Sequence, residues 1–247
     1  MKRINSKKIF IGLCSVFCLS SCDIGPGNKA PIRESELFQY IYLKENGTRH
    51  KNLKTNEIVI VGFTEIGKQQ TSLDIPLEIN GNPVTMLGIE DQSYSYNHNW
   101  IVEPSETLQY LYIHENIKFI NFKGGNASLF ICAESHHIKY GYYSFKEMFC
   151  PSVWFEDETE MSRGQFDIAN TTFFLNQSSG VEIDSVYRIE NYSNDEVIKR
   201  PIDPTIDGYI FVGWYTEKEC INSWDFNTTV NFEDLHVFNL YAGWQRI

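Results

Sequence analysis

Short runs of alternating apolar and polar residues, separated by Gly, Pro and Asn, recur through most of this chain. Leu37–Leu43 and Glu57–Phe63 are rich in aromatic and β-branched residues, and Asn46-Gly47 supplies turn chemistry between them. Hydrophobic residues make up 42% of the sequence, which is enough to build packed cores, while long amphipathic helical patterns are scarce. Alternation with a period of two predicts strands, so the sequence predicts a mainly β protein.

A weak internal repeat begins at Leu73. The segment Leu73–Gly88 can be aligned with Leu108–Ile120, because each has a leucine, an alternating run, a polar turn and a second short apolar run. Strands that recur at a fixed interval are typical of stacked arrays, in which each unit buries its face against the next. We therefore expect two or three such units within residues 36–160.

The residues of these units resemble the BspA-like group of bacterial surface leucine-rich repeats. Ile75–Gly88 is similar to an opening unit, and Phe130–Glu134 followed by Cys150–Trp154 is similar to a closing unit. The small Ala-Phe step that is usual in this group is missing, and the polar stretch Asp91–Pro104 stands in its place. The resemblance implies a short, degenerate, leucine-rich-repeat-like β solenoid over residues 36–160, for which the following domain serves as one cap.

Four motifs follow in order near the C-terminus. They are Pro201-x-x-Pro204, Gly208-Tyr-x-Phe-x-Gly-Trp-Tyr215, Trp224-Asp-Phe226 and Leu240-Tyr-Ala-x-Trp244. Together they resemble the Listeria–Bacteroides repeat, also called the internalin B repeat. The resemblance implies a small β-grasp-like domain over residues 171–247, of a type found as a spacer or adhesive module on bacterial surfaces.

Two features precede these motifs. Thr171–Leu175 and Val181–Ile189 predict two strands of a hairpin joined by the turn residues Ser178-Ser179-Gly180. The acidic run Glu156–Glu160 lacks the residue order of an EF-hand calcium loop. Because blocks of like charge are usually exposed, it predicts a solvated linker between the domains.

Aromatic residues of the C-terminal domain recur at strand parity. The residues predicted to fill one core are Tyr209, Phe211, Trp214, Phe226, Leu240 and Trp244. A carbohydrate-stacking platform is the open alternative, although aromatic side chains dominate the cores of small domains. The candidate aromatic binding or core positions are Tyr209, Phe211, Trp214, Trp224 and Trp244.

The N-terminus has the order of an export signal. Cations at residues 2–8 precede the apolar run Ile9–Leu19, and two serines lead to Cys22. The run has 11 residues, whereas an uncleaved membrane helix, the rival interpretation, needs about 20. The order resembles the lipobox of bacterial lipoproteins, which implies a signal peptide at residues 1–21 and acylation of Cys22 by chains such as palmitate. Residues 22–35 then form a lipidated, Pro- and Gly-containing tether.

The charge of the chain limits its partners. Removing residues 1–21 removes four cations and no acids, which leaves 17 Lys and Arg against 32 Asp and Glu, a net charge of −15. A polyanion binds nucleic acid poorly, so no nucleic-acid partner is expected. Anionic headgroups would also repel it, so we expect the lipid anchor to hold it on the extracytoplasmic side of the cell membrane.

Three cysteines follow Cys22 in the sequence: Cys132, Cys150 and Cys220. An odd number excludes a full disulfide framework, and the spacing is of neither the CxxC nor the zinc type. We expect small buried side chains, with a Cys132–Cys150 disulfide as the open alternative. No metal site and no cofactor are predicted.

No common catalytic motif occurs. The sequence lacks a G-x-S-x-G elbow, a Walker loop, a dinucleotide fingerprint and H-E-x-x-H. Adjacent residues on a strand point to opposite faces, so His136-His137 could not chelate one ion from a regular strand. No catalytic residue is predicted, and the chain is expected not to be an enzyme.

Two functional hypotheses remain. The first is a lipid-anchored cell-surface protein acting in binding or adhesion, with a surface protein or a glycan as its partner. The second is a surface lipoprotein with a substrate-binding or hydrolytic site hidden in residues 36–160. An exposed concave sheet or a flat aromatic patch would favour the first, and a deep pocket with convergent polar groups would favour the second.

Overall fold

The computed structural model describes residues 29–90, 99–123, 125–132, 138–151, 166–176 and 186–247. The predicted signal peptide and lipidation site, the His136-His137 pair and the acidic run at residues 156–160 lie outside these ranges. Within them the protein is built of strands, as the alternating pattern predicts, and its helices are short 3₁₀ turns at Leu43–Glu45, Thr48–His50 and Gly67–Gln69. Among the described residues, no helix has the length and apolar character needed to cross a bilayer.

In the described ranges, sixteen strands form three sheets. In chain order they are β1 (Arg33–Glu34), β2 (Phe38–Tyr42), β3 (Ile58–Phe63), β4 (Ser72–Asp74), β5 (Glu78–Ile79), β6 (Asn82–Leu87), β7 (Tyr110–His114), β8 (Phe119–Phe122), β9 (Ser128–Cys132), β10 (Lys139–Tyr143), β11 (Met148–Cys150), β12 (Asp167–Ile168), β13 (Thr171–Phe174), β14 (Val186–Glu190), β15 (Tyr209–Tyr215) and β16 (Phe238–Arg246).

The first two sheets face each other, and we call this part of the chain, β1 to β12, the N-terminal array. The first sheet has the order β1-β2-β3-β6-β8-β10. Its strands β3, β6, β8 and β10 are parallel, and β5 pairs antiparallel with β6. The second sheet has the order β12-β11-β9-β7-β4 and is parallel throughout. From β4 to β11 the chain alternates between the two sheets, so each circuit adds one strand to each.

The core of the array lies between these sheets. In the second sheet, Leu73, Leu111, Leu129 and Met148 are neighbours in register, and all four belong to this core. Leu73 therefore pairs with Leu111, and the alignment of Leu73 with Leu108 that the sequence predicts is wrong by three residues. Leu108 is also buried, but it precedes β7. The register is set by which alternate residues of the strand face the core, and Leu111 is one of them.

Asn121 connects the polar insertion between β6 and β7 to the first sheet. Its side-chain Nδ2 donates to the carbonyl oxygens of Ile89 and Trp100 at 3.2 and 3.0 Å, and its Oδ1 accepts from the backbone of Tyr142 at 3.0 Å. Ile89 and Trp100 also exchange two backbone hydrogen bonds of 2.8 Å. Both described ends of the insertion, where the Ala-Phe step is missing, are therefore fixed to the sheet.

The third sheet forms the C-terminal module, β13 to β16, in the order β14-β13-β16-β15. Its two central strands, β13 and β16, are parallel, and the flanking strands are antiparallel to them. The antiparallel pairing of β13 with β14 agrees with the predicted hairpin, whose connection at residues 177–185 lies outside the described ranges.

The core of the module is aromatic. Trp214 is buried at its centre, in edge contact with Phe173 and Phe211 at ring-centroid distances of 5.0 and 5.4 Å. Tyr209, which the sequence places in this core, is 39% exposed and is not part of it. The pairing of β15 with β16 shifts between Phe211 and Gly213. The side chain of β15 that packs on the core is therefore Phe211 before the shift and Trp214 after it.

Candidate functional site

An aromatic ladder lies on the outward face of the second sheet. Tyr112, Phe130 and Phe149 occupy adjacent positions in register on β7, β9 and β11. Their rings stack with centroid distances of 4.8 Å and interplanar angles of 21° and 19°. Parallel strands with the same alternation place identical faces side by side, so the ladder follows from the register of the array.

The C-terminal module covers this ladder. Ile189 and Val186 of β14 pack against the three rings, together with Cys132 and Ala169. Tyr112, Phe130 and Phe149 are consequently buried, and they do not form the exposed aromatic patch that would favour the first hypothesis. The outward face of the array is thus, at its centre, an interface within the chain.

Arg188 of β14 is the main polar contact of this interface. Its guanidinium lies over the ring of Tyr112, with Cζ 3.3 Å from the centroid, and its Nε donates to Glu190 Oε1 at 2.8 Å. Its Nη1 donates to Asp74 Oδ1, and the hydroxyl of Tyr112 donates to Glu190 Oε2 at 2.7 Å. Burial alone would lower the pKa of Arg188, but the two carboxylates raise it above its usual value. The guanidinium is therefore held charged between them.

Beside this cluster the array and the module border a half-open cavity of about 440 Å³, which we call the junction cleft. Asp74 and His114, at the ends of β4 and β7, line it from the array. The lining residues of the module are Tyr187, Arg188, Glu190, Lys199, Arg200, Pro201 and Ile202. The Tyr187 hydroxyl donates to the carbonyl of Ile202 at 2.9 Å, which holds the 199–202 segment beside β14.

His114 shares the outward face with Tyr112, since it lies two residues further along β7. Its Nε2 is 3.9 Å from Asp74 Oδ1. Burial lowers the pKa of His114, Asp74 opposes this effect, and Arg188 adds to it, so the net shift is downward. Histidine ordinarily titrates near pH 6.5, and the ring is therefore neutral at pH 7.

Cys132 lies next to His114 in register on β9, yet it does not form a reactive pair with it. Burial raises the pKa of the Cys132 thiol to about 12, so the thiol is protonated at neutral pH. Cys132 and Cys150 are both free thiols, so the Cys132–Cys150 disulfide does not form. The register aligns Phe149 with Phe130, which leaves the two cysteines one position out of step and, by alternation, on opposite faces of the sheet.

The candidate aromatic positions lie in the module, away from the cleft lining. Trp214 is in the core, while Phe211, Trp224 and Trp244 are partly buried and pack against that core. Trp244 Nε1 donates to the carbonyl of Leu175 at 2.5 Å, and Trp224 packs on Phe238 at a centroid distance of 4.7 Å. These four rings make contacts within the module, and of the five candidate positions Tyr209 alone is exposed.

Sequence reasoning did not find the junction cleft. Asp74 and Arg188 are 114 positions apart, and neither stands in a motif. His114 stands in no motif either, and sequence spacing says nothing about which strands lie side by side in a parallel sheet. Among the described residues, no group of three or more His, Cys, Asp and Glu side chains is arranged to hold a metal ion.

The comparisons with known proteins concern mainly the module. Residues 170–242 match the Listeria-Bacteroides repeat domain. The predicted resemblance is confirmed for this part, which is less than one third of the chain, and it indicates a surface-associated bacterial protein. The leucine-rich-repeat and lipoprotein resemblances remain predictions.

One relative is a protein of Evansella cellulosilytica whose name provisionally describes it as a membrane protein. It is 30% identical over 104 residues, which cover 37% of this chain and 15% of the relative. The shared region is thus a small part of a much longer protein. No solved structure matches this chain.

Proposed function

We propose that this chain is a lipid-anchored bacterial cell-surface protein that acts in binding or adhesion without catalysis, and that the junction cleft is its ligand-binding site. The observation that carries the proposal is a cavity of about 440 Å³ with mixed charges, located where the array meets a module of a bacterial surface-repeat family. Ligand sites occur preferentially at the junctions between domains and have volumes of about 300–1,000 Å³.

Three further observations support the finer parts of the proposal. The alternation of the chain between two facing parallel sheets supports a short leucine-rich-repeat-like solenoid. The sheet order of the module, with its first and last strands central and parallel, supports a β-grasp-like domain. The order of cations, apolar run and Cys22 supports the lipid anchor, and the membrane description of the relative is in keeping with it.

A pocket of this kind would favour the second hypothesis, but seven of its nine lining residues belong to the module and lie outside residues 36–160. A hydrolytic site here would use His114 and Asp74, the two lining residues of the array. The neighbouring thiol, Cys132, is buried beneath the module and its pKa is raised to about 12, so it does not supply a thiolate nucleophile. The chemistry of the cleft favours binding, because its two carboxylates, Asp74 and Glu190, are held in ion pairs with Arg188.

The test uses purified residues 23–247 with whole bacterial and host cells, matrix polymers and a glycan panel. We expect saturable binding that Ile202→Glu weakens, because Ile202 lines the cleft and is 85% exposed, so the substitution adds charge without disturbing a core. Ile221→Glu, at a position 73% exposed outside the cleft lining, is the matched control. Equal binding by both variants would exclude the cleft, and turnover of an ester, glycoside or peptide that His114→Gln abolishes would exclude the non-catalytic function.

A further inference from the structure

The charges of the junction cleft differ from those of the chain as a whole. The full sequence carries a net charge of −11, yet the cleft has three cations, Arg188, Lys199 and Arg200, against two acids, Asp74 and Glu190. Asp203, which pairs with Arg200, brings the acids to three, so the charges at the cleft balance on a chain that is otherwise acidic, and an anionic ligand is repelled less there than elsewhere.

Only part of this positive charge is free for a ligand. Arg188 is held by Asp74 and Glu190, and Arg200 donates from Nε and Nη2 to Asp203 Oδ1 at 3.1 and 2.8 Å. Lys199 is exposed and, within the described part of the chain, makes no ion pair. One uncommitted ammonium group suits a ligand that carries a single anionic group at this position.

The opposite side of the cleft, formed by Asp74 and His114, has hydrogen-bonding groups that can bind the hydroxyls of a ligand. The side chain of Asp74 is 49% exposed, and only its Oδ1 is bonded to Arg188. His114 is neutral and presents one donor and one acceptor, while a carboxylate accepts from a hydroxyl. The array therefore contributes the polar partners of an uncharged, hydroxyl-bearing group.

The third part of the cleft is apolar. Pro201 and Ile202 form a wall next to Tyr187, and Ile202 has little contact within the chain. The C–H face of a sugar ring packs on surfaces of this kind, whereas an extended acidic peptide would leave the hydroxyl-binding groups of Asp74 and His114 without partners.

We propose that the junction cleft binds a carboxylate-bearing sugar residue, with its carboxylate on Lys199 and its hydroxyls on Asp74 and His114. This inference rests on the proposed function of the cleft as the ligand-binding site. It adds the chemical class of the ligand and assigns the anionic group to the module and the hydroxyls to the array.

The experiment is calorimetric titration of residues 23–247 with two matched pairs of sugars: a galacturonate trimer against a galactose trimer, and sialyllactose against lactose. We expect at least one acidic sugar to bind about fivefold or more tightly than its neutral partner, which is the size of one partly exposed ion pair. Lys199→Gln should remove this difference. Lys139→Gln, which makes the same charge change at an exposed site on β10 of the first sheet, should preserve it.

Four results would overturn the inference. Equal affinity for the acidic and neutral members of both pairs would remove the role of the carboxylate, and equal binding of a hexaglutamate peptide would show charge attraction alone. Absence of binding by all four sugars, while cell binding stays sensitive to Ile202→Glu, would reject the ligand class and leave the proposed function standing. Absence of binding by any sugar or cell would reject both.

Discussion

Arg188 contacts three groups from two parts of the chain at the same time. Asp74 and Tyr112 belong to the array, whereas Glu190 is two residues away on the same strand of the module. A charge that is mostly removed from water needs partners, and the partners of this one are the two carboxylates. The side chain therefore connects the module to the array through groups that would be costly to leave unpaired.

Arg188→Ala should destabilise the protein by about 2–4 kcal/mol, because the substitution leaves two carboxylates near each other without their cation. Urea unfolding of the full chain measures the change in free energy. Arg200→Ala is the control: the Arg200–Asp203 pair has side chains that are 50% and 53% exposed, so its loss should cost under about 1 kcal/mol. Equal losses of unfolding free energy in the two variants would contradict the role of Arg188 as the main polar contact between the array and the module.

His114 should make stability depend on pH. Burial lowers its pKa in the folded chain, so the unfolded chain takes up the proton first as the pH falls below about 6.5. Stability is then complete above this pH and declines on acidification until the pH passes the folded pKa. Unfolding measured between pH 8 and pH 5.5 should show this decline, and His114→Gln should reduce it.

The pH range of this experiment separates the contribution of His114 to the pH dependence of stability from that of Glu57. The pKa of Glu57 is lowered below 4.5 by its hydrogen bond with Thr85 and by Lys118, although burial opposes this shift. The stability that Glu57 contributes is therefore lost only at more acidic pH. A slope between pH 8 and pH 5.5 that is unchanged in His114→Gln would assign the effect to other groups.

At the scale of elements, the turn after β6 shows how the array accommodates its irregular insertion. Gly88 has φ of 72°, and a Cβ added there would lie 2.3 Å from the carbonyl oxygen of Asn121 and 2.7 Å from that of Trp100. Both atoms belong to the backbone that Asn121 ties together, so neither can move cheaply. The sequence identified Gly88 as the end of a repeat unit, but the close approach comes from β8 and the insertion.

Gly88→Ala should therefore be much more destabilising than Gly81→Ala. Gly81 also has φ of 72°, but a Cβ there would meet nothing within 4 Å, so this variant reports the cost of the backbone conformation alone, about 1–2 kcal/mol. Thermal unfolding of the two variants isolates the steric contribution as their difference. Equal melting temperatures would show that the backbone at Asn121 and Trp100 adjusts freely.

The whole molecule is held together through the packing of β14 on the array. Ile189 is fully buried against Tyr112, Phe130 and Cys132, although the module has a separate aromatic core of its own. The predicted start of the module at residue 171 also omits Asn170, whose side chain bonds to the backbone of Tyr192 in both directions, at 2.7 and 3.0 Å. A fragment that folds alone should therefore begin before Asn170.

Ile189→Thr should distinguish the stability that comes from the interface with the array from the stability of the module's own core. In the full chain it should cost about 2–3 kcal/mol, because it removes apolar contacts and buries a hydroxyl at the interface. In a fragment of residues 169–247 the same side chain faces water, and the cost should fall below about 0.5 kcal/mol. Denaturant titration of both proteins, with and without the substitution, gives the four values. Equal costs in both proteins would show that Ile189 belongs to the core of the module.

The predicted anchoring of the protein at the membrane rests on Cys22. Cys22→Ser should abolish incorporation of labelled fatty acid and release the protein from membranes, because thioether formation needs the sulfur and stable anchoring needs more than one acyl chain. Cys220→Ser, at a cysteine within the module, should leave both properties unchanged. Equal labelling of Cys22→Ser and the unaltered chain would refute the lipoprotein prediction.

Patterns that are local in the sequence were readable in advance. The alternation at residues 37–43 and 57–63 predicted strands that are present at Phe38–Tyr42 and Ile58–Phe63, and the C-terminal motifs predicted the repeat family. Strands can be predicted from local sequence because a strand buries alternate side chains whatever its partners are. The exposure of Tyr209 could not be predicted from the alternation, which places this residue on the same face as Phe211; Tyr209 lies at the end of β15, where it is paired with Arg246.

The sequence by itself thus determined the mainly β class and the identity of the module. Only the tertiary structure decided the register that aligns Leu73 with Leu111, the burial of the aromatic ladder and the meeting of Asp74, His114 and Arg188 at the junction cleft. The physical reason is that parallel strands and packed faces join residues with no fixed spacing along the chain. Their contacts are set by the packing of whole sheets, and no segment of sequence carries that information alone.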